Sequence, residues 1–151
     1  MKSLKRMRYY TMNSWNLSES MAYNLKVYNV IDKKLQDKVY ELMDVPYFYE
    51  DYINPLIHDF DSEHNYEWQA GFNGRSGGYL VLYKGGRHEN GQVYCRAGLN
   101  IEDEDVPVEV RKAFRQLAVD IVKTAEYMAK HYKIEEQEIT VPKTVKVLTE
   151  V

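Results

Sequence analysis

Three stretches of the 151-residue chain bring chemistry-bearing side chains close together. The first is Gly74-Arg75-Ser76-Gly77-Gly78. A glycine-rich turn can point successive backbone N–H groups at one anion, with Arg75 as charge partner, so a bound phosphate is one use for it. It is no Walker loop, because Lys-Ser/Thr is missing and a strand pattern follows in place of a helix. A plain structural turn explains the glycines and the serine equally well. The second set is Tyr79, Tyr83, Tyr94 and Arg96. On one face of a sheet these would make a stacking platform for a nucleotide or single-stranded nucleic acid; covered by a second layer or another subunit, they would be ordinary half-buried tyrosines. The third set is His58-Asp59-Phe60-Asp61-Ser62-Glu63-His64. The histidines are six positions apart, which suits one helical face poorly, so this run reads as a polar helix end followed by a loop, and no metal site is expected. Ser14, Ser18, Ser20, Ser62 and Ser76 have no ordered His and acid partners in the sequence, so no catalytic triad can be assigned.

The elements that must position these groups centre on residues 66–97. Strict alternation puts Tyr66, Trp68, Ala70 and Phe72 on one face, the period of a strand. Strands are predicted at 66–72, 79–83 and 92–97, joined at 73–78 and at a second turn running from Gly85-Gly86 to Asn90-Gly91. Before this meander, alternation predicts a strand at 6–13. Ser18 or Ser20 caps a helix to about Tyr28, and Asp32 caps another to about Met43, with Leu35, Val39, Leu42 and Met43 inward. Pro46 ends that helix. Phe48, Tyr52, Leu56 and Phe60 predict a third, in which Pro55 marks either a kink or the true first turn. After the meander, Asp105 as cap and Pro107 as early residue predict a long helix at about 107–132, carrying Val110, Phe114, Leu117, Ile121, Ala125 and Met128 on its core face. Glu135 and Glu136 are expected in a link, with 139–141 and 145–148 extended. The fold class is α+β, an antiparallel sheet built on the central meander with helices on one side, in a single domain over 1–151. Trp68, Phe72, Leu80, Leu82, Phe114, Leu117, Ile121 and Ala125 are expected to pack together.

Composition narrows the function classes. Hydrophobic residues make up 44%, enough for a packed core. A single cysteine excludes an internal disulfide and a cysteine-based zinc site. No apolar run approaches the roughly 20 residues that span a bilayer, and no secretory h-region follows the basic start, so a cytoplasmic protein without a membrane partner is expected. Of the 20 aromatic residues 14 are tyrosine, which suits a core rim or a binding face. Charge is segregated: residues 1–30 carry a net +4, residues 44–67 a net −7 and residues 68–101 a net +3. Such asymmetry can steer a charged partner, and solvated helix faces beside a mildly basic sheet would also produce it.

At Gly71-Phe-Asn-Gly-Arg-Ser-Gly-Gly-Tyr-Leu-Val-Leu82 the sequence resembles small uncharacterised proteins encoded by bacteriophages and prophages, which carry a closely similar Asn-Gly-Arg-Ser-Gly-Gly-Tyr-Leu-Val-Leu run. Residues 8–15 and 22–30 share the likeness. The resemblance implies a viral setting and brings no catalytic residues or cofactor. The expectation is therefore a non-enzymatic accessory protein that binds a host or defence component in the host cytoplasm. The alternative is a nucleotide or single-stranded nucleic-acid binder using Arg75, Ser76, Gly77, Gly78, Tyr79, Tyr83, Tyr94 and Arg96. Turn chemistry does not ask for arginine at 75. It is expected either to anchor a ligand, so that Arg75→Ala weakens association at nearly constant melting temperature, or to pair with an acid such as Glu67 or one in 44–63.

Overall fold

The computed structural model describes residues 18–21, 24–75, 78–99, 101–138 and 144–151, with backbone alone at 18–21, 24, 87, 93–98 and 138. It mixes helices with antiparallel sheets. The strand predicted at 6–13 and the extended stretch at 139–141 lie outside the described residues.

The sheet is organised on one strand. Eight or more extended residues can recruit partners on both edges, and β4 (Tyr79–Arg87) does so. Along one edge runs β3 (Trp68–Asn73), paired from Trp68↔Lys84 to Asn73↔Tyr79. The other edge is shared. β2 (Asn24–Lys26) pairs with Tyr79–Val81, and β5 (Val93–Leu99) takes over from Leu82. β1 (Ser18–Met21) flanks β2. Opposite residues of an antiparallel pair share a face, so Leu25, Leu80 and Phe72 form one row and Leu99, Leu82 and Ala70 the next. Leu80 and Leu82 are fully buried.

The helix expected up to Tyr28 is instead β1, β2 and a 3-10 turn at Val27–Val30. A helix this short is marginal alone. The open edge of β4 offers Asn24–Lys26 a complete backbone ladder, and Val27 N–H donates to Gly78 O at 2.9 Å. Leu25, Val27 and Tyr28 are all buried, a density that no single helical stripe would give.

The next elements follow their end signals. α1 (Lys33–Leu42) begins where Asp32 accepts from Lys34 N–H at 3.0 Å, and Val39, Leu42 and Met43 are buried as expected. Pro55 resolves as an early residue of α2 (Asn54–Glu63), entered through a π-helical turn at Tyr49–Ile53 in which Asn54 N–H reaches back to Tyr49 O. The meander's second turn lies further along than the glycine pair suggests. Gly85 and Gly86 sit inside β4 at a register slip between Tyr83 and Gly85, and the reversal occurs at 88–92 around Gly91. Tyr66 lies before β3, in a turn with left-handed Asn65.

The long helix is α3 (Val108–His131). Asp105 is not its cap. Its own N–H donates to Asp103 Oδ1 at 2.9 Å, and Pro107 occupies the cap position without a side-chain bond. Every residue from Gln116 to Val122 is buried, so the helix is enclosed rather than laid on a surface. Glu135 and Glu136 belong not to a link but to β6 (Tyr132–Glu138), which forms a separate hairpin with β7 (Thr144–Glu150). Solvated cross-strand pairs such as Glu136↔Lys146 make acidic residues acceptable there, while Tyr132, Ile134 and Leu148 lean on the core.

Trp68, Leu80, Leu82, Phe114, Leu117, Ile121 and Ala125 join one buried cluster, and half-buried Phe72 packs against it. Phe114 stacks edge-on against Phe60 of α2, with centroids 5.9 Å apart. Because Phe114 is fully buried, Phe114→Ala should cost roughly 3–5 kcal/mol. Urea denaturation checks this; an unchanged midpoint would mean that α3 does not hold the core together.

Candidate functional site

Packing demands glycine at Gly78, while at Gly74 the flexible end of Met43 takes up the space of a side chain. A Cβ on Gly74 would lie 2.4 Å from Met43 Cε, and one on Gly78 would lie 2.4 Å from Tyr28 Cγ. Gly78 also has φ +69°, which an L side chain adopts only at a cost. The end of α1 and the 3-10 turn are thus pressed directly against the turn. Ser76 and Gly77 lie outside the described residues.

Arg75 leans back across the same contact. Its N–H donates to Asn73 Oδ1 at 3.1 Å, Nη2 donates to Met43 O at 3.2 Å, and Nη1 lies 3.7 Å from Asp44 Oδ1. An internal pair with an acid of the 44–63 segment is present, to Asp44. The Arg75 and Asp44 side chains are 71% and 53% exposed, so the pair contributes at most about 1 kcal/mol.

Between the turn and residues 43–50 opens a cleft of about 720 Å³, lined by Asp44, Tyr47, Tyr49, Glu50, Phe72 and Arg75 among others. Pro46 stops the chain from continuing α1, and Tyr47 follows it in the left-handed region at φ 67°. The residue is 73% exposed. A bulky residue seldom adopts this backbone. Tyr49 is half-buried, and burial first, then Glu50 and Asp61, pushes its hydroxyl pKa upward. Sequence reading missed Tyr47. The Pro46-Tyr47 pair signals a helix break, and nothing local signals the sign of φ.

The opposite face of the sheet carries Tyr79 and Tyr83, both half-buried, with Val81 between them. Lys26 Nζ lies 6.0 Å from the centroid of the Tyr79 ring, and the Tyr83 ring edge lies close over Gly71. Tyr94 and Arg96 are in β5, with Tyr94 opposite Gly86; their side chains are outside the described atoms. Arg75 itself lines the cleft, with Met43 and Asp44 as its partners.

The histidine and acid run ends α2 and passes into a turn, as its polarity suggests. Among the described residues no group of three could hold a metal ion. One acid has a definite task. Among the described residues β3 is an edge strand, and Asp61 Oδ1 accepts its outward N–H at Ala70 at 2.8 Å. His64 Nδ1 lies 2.8 Å from Phe60 O, and its ring packs on Phe60. Burial raises the Asp61 pKa from 3.8 to about 6 against the opposing pull of the Ala70 N–H, His58 and His64.

A raised carboxyl pKa means that the folded chain holds a proton which the unfolded chain has released. The stability from this group is therefore complete below about pH 4 and is lost as pH rises through about 6. Asp61→Asn keeps an oxygen for Ala70 and removes the charge. Its stability relative to the parent chain should improve between pH 4 and 7, measured by urea titration across that range; a difference that is flat or opposite in sign would contradict this assignment. Comparison with known protein families, with characterised proteins and with solved structures finds no match to this chain.

Proposed function

We propose that this chain is a single-domain, non-enzymatic accessory protein of the phage type that binds a host or defence component in the host cytoplasm. The resemblance at 71–82 supports the setting. The observation that carries the binding role is Tyr47, an aromatic residue largely exposed to solvent on a left-handed backbone. That conformation costs about 1–2 kcal/mol for a residue with a Cβ, and buried packing does not repay it here. Exposed Asp44, Glu50 and Asp51 surround it in sequence, so the display is an aromatic anchor in an acidic setting. Central aromatics ringed by polar residues are the pattern of binding hot spots. No helix among the described residues is long and apolar enough to cross a membrane.

The second reading is a binder of nucleotides or single-stranded nucleic acid on the Tyr79 and Tyr83 face. What favours it is the common face of these tyrosines and the Lys26 ammonium beside Tyr79. Arg96 would extend that face, and the glycine turn would supply backbone donors.

Tyr47→Gly separates binding from folding. Glycine relieves the backbone, so stability should hold or rise by up to about 1 kcal/mol, while the stoichiometric partner recovered with the tagged chain from its host lysate should be lost. Retention of that partner by Tyr47→Gly would remove the proposed anchor. Salt-dependent binding of short oligonucleotides that disappears in Arg96→Ala would establish the second reading instead.

A further inference from the structure

The cleft beside the glycine turn is already in contact with one cation, which belongs to the chain itself. Its Met43 carbonyl and Asp44 carboxylate face the Arg75 guanidinium at 3.2 and 3.7 Å. The arrangement is loose. Both side chains are more than half exposed, and the carboxylate contact is longer than a hydrogen bond. Arg75 can therefore leave at little cost.

The rest of the lining suits the same kind of group. Tyr47, Tyr49 and Phe72 bring aromatic rings to the cleft, and Glu50 adds a second carboxylate. Aromatic faces attract guanidinium groups, more so where water is partly excluded. An anion entering here would meet two carboxylates for one guanidinium, whereas a cation meets the favourable balance. At about 720 Å³ the cleft falls within the range of pockets that enclose a ligand.

We infer that the cleft is a seat for an arginine side chain of a protein partner, and that Arg75 fills it as an internal stand-in while the protein is free. This rests on the binding-protein reading and names the chemistry of what is bound. The incoming guanidinium takes the Met43 carbonyl and the Asp44 carboxylate, Glu50 and the rings enclose it, and Arg75 turns out to solvent. The role of Arg75 is then opposite to that of a ligand anchor. Its removal strengthens binding.

The test is a titration of the ¹⁵N-labelled full chain with N-acetyl-arginine amide, followed by amide chemical shifts. Shifts should concentrate at 43–50 and 72–75. Arg75→Ala should tighten the interaction about two- to fivefold by removing the competitor, and Asp44→Asn and Glu50→Gln should each weaken it. The spectra themselves show whether each variant is folded. The inference is overturned if arginine amide leaves these amides unmoved, if Arg75→Ala weakens binding, or if inorganic phosphate moves the same amides in its place. Partner capture that survives any of these results, yet is lost in Tyr47→Gly, would leave the binding function standing and remove the arginine seat alone.

Discussion

The turn between β3 and β4 is held at Gly78, where the Tyr28 ring leaves no room for a side chain. Met43 closes on Gly74 and the Tyr28 ring on Gly78. Tyr28 in turn meets Tyr40 of α1 and Phe72 of β3 edge-on, with centroids 5.3 and 5.8 Å apart. One aromatic therefore ties the 3-10 turn, the first helix and the meander into a single unit. The Gln36 amide reinforces it by donating to Ile31 O at 2.9 Å. Because Met43 is held there, residues 44–50 must leave α1 beside the turn, and the cleft lies between them.

The same constraint explains how the sheet can use both edges of β4. Val27 N–H bonds Gly78 O, so the chain entering the 3-10 turn is already in register with the start of β4. β2 then occupies three positions of that edge, and β5 occupies the remainder from Leu82, with a slip between Tyr83 and Gly85. On the far edge, Asp61 shields the Ala70 N–H. Covering an exposed edge donor with a half-buried carboxyl hinders strand addition there, and its cost is the raised pKa.

The legible part of the fold is the part written in local patterns. Alternation at 68–72, the Asp32 cap, the Pro46 stop and the long apolar stripe of Val110 to Met128 each name an element that is present. The unread parts depend on tertiary context. Leu25 reads equally as a helical or a strand residue, and the vacant edge of β4 decides for a strand. Glu135 and Glu136 look like linker residues because a two-stranded hairpin keeps much of itself in water. Gly85-Gly86 looks like a turn because a bulge within a strand uses the same residue. At the site, Arg75 stood out as a charge that turn chemistry did not require, and an acid in 44–63 was among its possible partners. Tyr47 did not stand out, since its backbone sign is imposed by the path from Met43 to Tyr49.

Gly78 and Gly91 both have positive φ, +69° and +87°, but a Cβ at Gly78 would strike the Tyr28 ring whereas one at Gly91 would meet nothing within 4 Å. Comparing the two alanine substitutions by chemical denaturation therefore isolates the packing contact from the backbone term that they share. Gly91→Ala should cost about 1 kcal/mol. Gly78→Ala should cost roughly 1–3 kcal/mol more, the range for forcing extra volume into a packed site. Equal losses at the two positions would contradict the account, because they would show that Tyr28 does not hold the turn in place.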